Sequence, residues 1–303
     1  MIKRAFILIP LVLISCHTDS LELDKVQTNI EQDDQPEISD TLLFEESTIN
    51  DLNPLKECIL HATFKSPIIA CLDDFETELE EADPFSVDTV FEMTVSKMFE
   101  LADQVYFDDE RDLVKGTWEL KPELVNKYKT HGFKIDQEEG IYFITPDDQF
   151  LSSRFREIVS PSMVKYLDFR LKNPTKISYD AGLSMGWMDF AERLVTEEKL
   201  LSGNSPVVFA IVSEELISES TWFLIGMDNT PIYDWESYEI RPDYKRALEF
   251  LRLQGGPYLK KIAEKQFNYF KNRNWIYDTN TENIVINYKQ AKELFDQNYS
   301  KPE

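Results

Sequence analysis

From about residue 84 onward, proline and small polar residues cut the chain into segments of roughly 10–20 residues whose apolar positions recur every three to four. No other sequence feature restricts the fold as much. Ser86 reads as the N-cap of a helix in which Phe91, Val95, Met98, Phe99, Ala102 and Val105 share a face, running to about Tyr106. Pro122 to Lys129 reads as a short helix, and Asp147 to Val159 and Pro161 to Leu171 each start at a turn signal. Ser160-Pro161 and Ser205-Pro206 pair an N-cap residue with a proline whose missing N–H costs a first helical turn nothing. Asp180 to Leu201 is amphipathic and closed by Gly203. Val207 to Val212 is β-branched, but its Ser-Pro start and its continuation through Leu216 to Phe223 favour a buried helix. Asp243 to Leu253, Pro257 to Phe270 and Tyr288 to Tyr299 complete the series. One segment changes period: Gly140 to Pro146 is short, β-branched and aromatic, bounded by Gly and Pro, and is the best strand candidate. The expected fold is mainly α, a helical bundle or α-solenoid-like array with at most a short β element near residues 140–146.

The N-terminus carries a different signal. Met1-Ile2-Lys3-Arg4 is a positive n-region, and Ala5 to Ile14 is an apolar run broken only by Pro10. That run is about half the ~20 residues needed to span a bilayer. It ends in Leu13-Ile14-Ser15-Cys16, which resembles the lipobox of bacterial lipoproteins: an aliphatic residue, a tolerant position, a small residue and the lipid-acceptor cysteine. The resemblance implies cleavage before Cys16 and acylation of its thiol. Two acyl chains give stable membrane attachment where one gives marginal binding. Residues 1–15 are thus expected to be a signal peptide and 16–53 an acidic tether. His17 to Asn53 holds one aromatic, Phe44, no glycine, and a bias to acidic, amide and hydroxyl side chains that cannot bury enough surface to fold. Its 37 residues give an r.m.s. reach of roughly 30–40 Å. Limited proteolysis is expected to trim this tether and leave a stable core starting near Pro54. A protected N-terminus would contradict that. The helical domain is expected over residues 54–303, with a subdivision near 132. Leu55 to Leu72 is apolar enough to pack, and Asp73 to Pro84 reads as an exposed acidic loop.

Charge is segregated along the chain. The net charge of −24 becomes −26 once Lys3 and Arg4 leave with the signal peptide. Cys16 to Asp112 carries 5 basic and 27 acidic side chains, and the remainder 25 and 29. Such a field repels phosphate backbones, so nucleic acid is excluded as a partner; it also keeps an exported protein soluble. After lipidation of Cys16, Cys58 and Cys71 remain. An exported chain can join them in a disulfide adding roughly 3 kcal/mol, or keep them as buried thiols in their apolar surroundings; the sequence leaves both open.

Glu139 to Ile144 with Pro146-Asp147, and Asp228-Asn229-Thr230-Pro231-Ile232-Tyr233-Asp234, look like segments of uncharacterised secreted or lipid-anchored bacterial proteins, a likeness spanning about Gly132 to Arg273. It implies an exported helical domain and carries no activity.

Catalytic signatures fail on context. Gly182-Leu183-Ser184-Met185-Gly186 is a literal G-x-S-x-G, but Lys176 to Asp180 is not the buried strand that a nucleophile elbow requires. His17, His61 and His131 all precede Ser184, so the α/β-hydrolase triad order is ruled out, and the glycines read as turn or helix-packing residues. There is no H-E-x-x-H, C-x-x-C, P-loop or G-x-G-x-x-G. Asp278 to Glu282 opens like a calcium loop, yet Asn283 and Lys289 stand where glycine and the bidentate glutamate belong. No metal or cofactor is expected.

Two clusters remain. Trp222, Asp228, Tyr233, Asp234, Trp235, Glu236, Tyr238 and Glu239 combine aromatics that can stack on sugar faces with carboxylates that can bind or hydrolyse a glycan; the plain alternative is an inter-helix loop whose rings cap the core. Arg241 to Arg273 carries 9 basic and 3 acidic residues among aromatics. Lys260, Lys261, Lys265 and Arg273, with contact area from Tyr258 and Tyr269, form a candidate face for an acidic partner, or solvated helix faces. The expected function is a membrane-anchored envelope lipoprotein with a non-catalytic helical binding or scaffold domain, whose partner is an envelope protein or cell-wall glycan. The alternative is a carboxylate-dependent glycan-active enzyme.

Overall fold

A computed structural model describes residues 52–105, 114–115, 119–138, 141–173, 177–179, 181–277, 286–300 and 302. The signal peptide, Cys16, the 16–53 tether up to residue 51, and Asp278 to Glu282 lie outside the described residues. Twelve described helices and three two-stranded antiparallel pairs make the fold mainly α. In chain order these are α1 (Asn53–Leu60), α2 (Ile68–Asp74), α3 (Glu76–Glu81), α4 (Pro84–Ala102), β1 (Val114–Lys115), β2 (Glu119–Leu120), α5 (Pro122–Lys129), β3 (Phe133–Glu138), β4 (Ile141–Pro146), α6 (Asp148–Phe155), α7 (Pro161–Lys172), β5 (Ser178–Tyr179), β6 (Gly182–Leu183), α8 (Trp187–Leu200), α9 (Pro206–Ile225), α10 (Pro242–Gln254), α11 (Pro257–Lys271) and α12 (Tyr288–Asp296). No described helix is long and apolar enough to cross a membrane.

Punctuation sets the helix starts. Seven helices, α1, α4, α5, α7, α9, α10 and α11, carry proline at one of their first two positions. Ser160 and Ser205 cap α7 and α9, accepting from Met163 N at 3.2 Å and Val208 N at 3.3 Å. Several boundaries differ from the sequence reading. The N-cap of α4 is Asp83, whose carboxylate accepts from Ser86 N at 3.0 Å, because Pro84 takes the first helical position and moves the cap three residues upstream. The acidic stretch 73–84 is not all loop: α3 forms within it, with Leu79 buried as its one inward contact. The segment from Asp180 starts as a hairpin, Ala181 having φ +53°, and α8 begins only at Trp187, where Gly186 N donates to Asp189 Oδ2 at 3.3 Å. Val207 to Phe223 is a single buried helix, α9.

The strand at Ile141–Pro146 pairs in full register with β3, from Phe133↔Pro146 to Glu138↔Ile141. Phe133 is buried and Lys134 exposed, the alternation of a half-buried hairpin. The hairpin leans on α4, while α5 packs on β3. Helix contacts are not confined to sequence neighbours: α4 touches α1 and α9, α9 touches α7, α8 and α12, and α8 touches α10 and α11. A nearest-neighbour array would lack those crossings, so the helices form a bundle around α8 and α9. The described residues from Leu52 onward cluster as one compact unit.

The aromatic content fills this bundle. Phe190, Phe223, Tyr244, Phe270, Phe91 and Phe155 are fully buried. Trp187 meets Tyr244 edge-on at 4.9 Å and Phe223 at 5.5 Å, and Phe223 in turn lies 5.6 Å from Phe190. Each buried ring contributes about 1.5–3 kcal/mol relative to exposure. Cys58 in α1 and Cys71 in α2 are joined by a disulfide, Cα–Cα 5.8 Å, which ties the first two helices together.

Buried polar groups fasten helices at a distance. Asp88, fully buried in α4, accepts from Ser160 N at 3.0 Å and from the Ser160 and Ser205 hydroxyls at 2.6 Å each, so one carboxylate grips the N-caps of α7 and α9. Glu198 of α8 sits at the N-terminus of α11, accepting from Gly256 N at 2.5 Å, Tyr258 N at 2.9 Å and Leu259 N at 3.2 Å, and from the Tyr299 hydroxyl at 3.0 Å. Its negative charge meets the positive end of the helix dipole. A Cβ on Gly256 would lie 2.6 Å from the Glu198 carboxyl carbon, which is why glycine stands there.

Candidate functional site

The stretch singled out from Trp222 to Glu239 connects α9 to α10 and is shaped by backbone rather than by helix. Gly226 ends α9 at φ +77°; a Cβ would meet Ile232 Cγ2 at 3.0 Å, so the chain can double back only with glycine there. Met227 and Thr230 then bridge in a tight turn, and Ile232 is buried. Tyr233 pairs with Ile240, and Glu239 pairs with Ile276, which follows α11. Ile240 N donates to Trp275 O at 2.8 Å and Tyr277 N to Tyr238 O at 2.7 Å, binding two segments about 40 residues apart.

That pairing assembles an aromatic platform. Tyr233 stacks on Tyr277 with centroids 4.0 Å apart and planes 15° apart, and lies nearly parallel to Tyr238 at 5.9 Å and 12°. Trp235 meets Tyr233 at 5.1 Å and 68°. Tyr233, Trp275 and Tyr277 pack against the core, whereas Trp235 is 60 % and Tyr238 42 % exposed. Beneath them Trp275 rests edge-on against Phe267 at 5.0 Å, with the Lys245 ammonium 3.8 Å from its centroid. Four described non-glycine residues have positive φ, and three of them, Tyr238 (+58°), Asn274 (+52°) and Trp275 (+64°), lie here. For Tyr and Trp that conformation costs of order 1–2 kcal/mol, held in place by the surrounding hydrogen bonds.

The carboxylates of this stretch divide by role. Asp234 Oδ1 accepts from Glu236 N at 3.1 Å, Ser237 N at 2.9 Å and Ser237 Oγ at 3.0 Å, closing an Asx turn. Those hydrogen bonds, led by the Ser237 backbone, hold its carboxyl below the usual aspartate range. Asp228, Glu236 and Glu239 are exposed. Trp222 is half-buried on α9 and packs against the core instead of joining the platform. Tyr277 and Ile276 lie outside the stretch marked by the sequence; the aromatic density of Trp275-Ile276-Tyr277 was the signal that could have found them.

On α11, Lys260, Lys261 and Lys265 are exposed, and Arg273 is exposed with its guanidinium 3.8 Å from the Tyr269 centroid. Tyr258 requires a correction: expected to offer contact area on this face, it is fully buried, with its hydroxyl 2.6 Å from Ser220 Oγ and its ring edge-on to Phe295 at 5.4 Å. The helical period puts residue 258 on one side with Ile262 and Gln266, both buried, and the lysines on the other. Of the G-x-S-x-G glycines, Gly182 is a strand residue of β6 and Gly186 is the N-cap of α8, while Ser184 N donates to Ile177 O at 2.9 Å.

A second polar cluster lies inside the bundle and was not singled out by the sequence. Arg193 of α8 makes a two-pronged pair with Glu219 of α9, Nε and Nη2 each 2.7 Å from an oxygen. Tyr166 of α7 donates to Glu215 Oε1 at 2.9 Å, and Arg170 Nη2 lies 2.8 Å from Asp148 Oδ1. Glu197, fully buried one turn beyond Arg193, receives no hydrogen bond at either oxygen. Desolvation first, then the charges of Glu219 and Glu215, push its carboxyl well above the usual glutamate range, with Arg193 opposing. Among the described residues no group of three or more His, Cys, Asp or Glu side chains is arranged to hold a metal ion. Comparison with protein-family models, curated proteins and solved structures finds no match to this chain.

Proposed function

We propose that this chain is a bacterial envelope lipoprotein, lipidated at Cys16 and held at a membrane surface, whose helical domain is a non-catalytic binding module. The observation that carries the binding reading is the exposed, pre-stacked platform of Trp235 and Tyr238 on Tyr233 and Tyr277. Large aromatic side chains held rigid at a surface are what binding faces are made of, because little conformational freedom is lost on contact. The glycan-hydrolase alternative needs an accessible carboxylic acid held protonated near neutrality. Asp234 is held in the opposite direction by its own turn, and Glu197, the described carboxyl pushed well above its ordinary range, is fully buried. The partner class is an envelope component, a protein or a cell-wall glycan, reached from the membrane through the 16–53 segment.

Attachment is tested in a native-like bacterial host. Cys16→Ser is expected to move the protein from the membrane to the soluble fraction and to abolish acyl labelling; a variant that still labels and still sediments with membranes would remove the lipoprotein reading. Binding is tested by placing a photo-crosslinker at position 235 and, as a control, at the exposed Leu171 of α7. Adducts confined to position 235 support the platform as the binding face, and equal yields at both positions count against it.

A further inference from the structure

Two rings of the platform leave much of their surface open to solvent. Tyr233, Trp275 and Tyr277 pack against the core, but Trp235 and Tyr238 extend beyond it, and Ile276 beside them is 40 % exposed. Their positions are nonetheless specified closely, by stacking on Tyr233, by two β-bridges and by left-handed backbone at Tyr238, Asn274 and Trp275. Exposed apolar rings held this firmly are pre-organised for a ligand.

The chemistry around the rings selects the ligand. Glu236 and Glu239, which adjoin the two rings in sequence, supply exposed carboxylate acceptors, and Ser237 adds a hydroxyl. Acceptors of this charge repel phosphate, sulfate and uronate groups and welcome hydroxyl donors. A quaternary ammonium is held best where several rings surround the cation. Here the parallel pairs are closed, with centroids 4.0 and 5.9 Å apart, so the remaining aromatic surface is the open area on Trp235 and Tyr238. The two exposed ring faces are steeply inclined to each other, Trp235 standing at 68° and Tyr238 at 12° to Tyr233, and with carboxylates in the same loop either face suits a pyranose, which offers a C–H face to a ring and O–H donors to the acceptors. We infer that the Trp235–Tyr238 platform binds a neutral, pyranose-based glycan. The inference rests on the reading of this face as the binding face and names its ligand.

The test uses the full chain in detergent, titrated at up to millimolar concentration with N-acetylglucosamine oligomers, a soluble β-glucan, a polyuronate and tetramethylammonium. Isothermal titration calorimetry and mobility in glycan-containing native gels supply the readouts. A neutral glycan is expected to bind and the polyuronate not to. Trp235→Ala is expected to weaken that binding about tenfold or more and Tyr238→Ala to weaken it less, both with unchanged circular dichroism. If Trp235→Ala disturbs the fold, Trp235→Gln and Glu236→Gln serve as the second pair, the latter weakening binding without removing a ring. Absence of binding to every neutral glycan, or binding indifferent to all four substitutions, overturns the inference. Should tetramethylammonium bind, or a crosslinker at position 235 capture a protein specifically while no neutral glycan binds, the glycan falls and the binding face stands. If the crosslinks at 235 and 171 are also alike, both readings fall.

Discussion

Asp88→Ala is expected to cost about 3–5 kcal/mol of stability, since each buried donor left without its acceptor costs about 1–3 kcal/mol. Asp88 is fully buried and carries three hydrogen bonds from two different helix caps. Removing the carboxylate leaves the Ser160 N–H and two serine hydroxyls without their acceptor in a site closed to water. It also loosens the starts of α7 and α9, which present the Tyr166, Arg170, Glu215 and Glu219 side chains to one another. Ser160 and Ser205 would still cap their own helices through Met163 N and Val208 N, so those helices should survive while their mutual placement weakens. Urea denaturation followed by circular dichroism measures the loss. Asp88→Asn, which retains one acceptor oxygen, should cost roughly half as much. A change of less than about 1 kcal/mol in Asp88→Ala would show that the caps are held by packing instead.

Glu197→Gln is expected to stabilise the protein, and to do so more as pH rises. Burial and the neighbouring Glu219 and Glu215 raise the Glu197 carboxyl well above its ordinary 4.5, so in the folded chain the group keeps its proton where the unfolded chain has already lost it. Below the ordinary glutamate range both states are protonated and the group adds no pH dependence. Above it, each step in pH favours the unfolded state until the raised folded value is passed. The groups that set this balance are Arg193 on its own helix and Glu215 and Glu219 from α9, with Arg170 of α7 moderating Glu215, whose carboxyl is raised by desolvation in the same way. An amide of the same shape removes the titration and can donate to the neighbouring carboxylates. The gain should be small near pH 4 and grow as pH rises above the ordinary glutamate range, each kcal/mol adding about 2–4 °C to Tm for a domain of this size. Thermal melts of both proteins from pH 4 to pH 9 measure it. Parallel curves would mean that Glu197 ionises in the folded state like any surface glutamate.

The contrast between these residues and the helix starts separates what was legible in the chain from what was not. Pro122, Pro161, Pro206 and Pro257 mark four helix starts because a missing N–H and a fixed φ act on the residue's own turn, whatever lies around it. The inward stripe of α8 is likewise legible, since a period of 3.6 places its apolar residues on one side before any partner is known. The mainly helical class and the strand at Ile141–Pro146 follow from signals of this local kind. Its partner β3 was missed because Lys134, Asp136 and Glu138 dilute the strand signal, which only pairing across the hairpin restores.

Tertiary structure alone decided the roles of the carboxylates. Asp88, Glu197, Glu198 and Asp234 are four acidic residues in a strongly acidic chain, and nothing in their neighbours in sequence says that one joins two helix caps, one lies buried without a donor, one caps a third helix and one closes a turn. Tyr258 was misread for the same reason, its aromatic character fitting a surface or a core equally well until α11 was rotated against Phe295 and Ser220. The platform is the extreme case. Tyr233 and Tyr277 stack across 44 residues of sequence through backbone bridges at Glu239 and Ile276. Local propensity determines each element from the dihedral preferences of a few adjacent residues. Which side chains then meet is set by burial summed over the whole chain, a quantity that no short window of sequence contains.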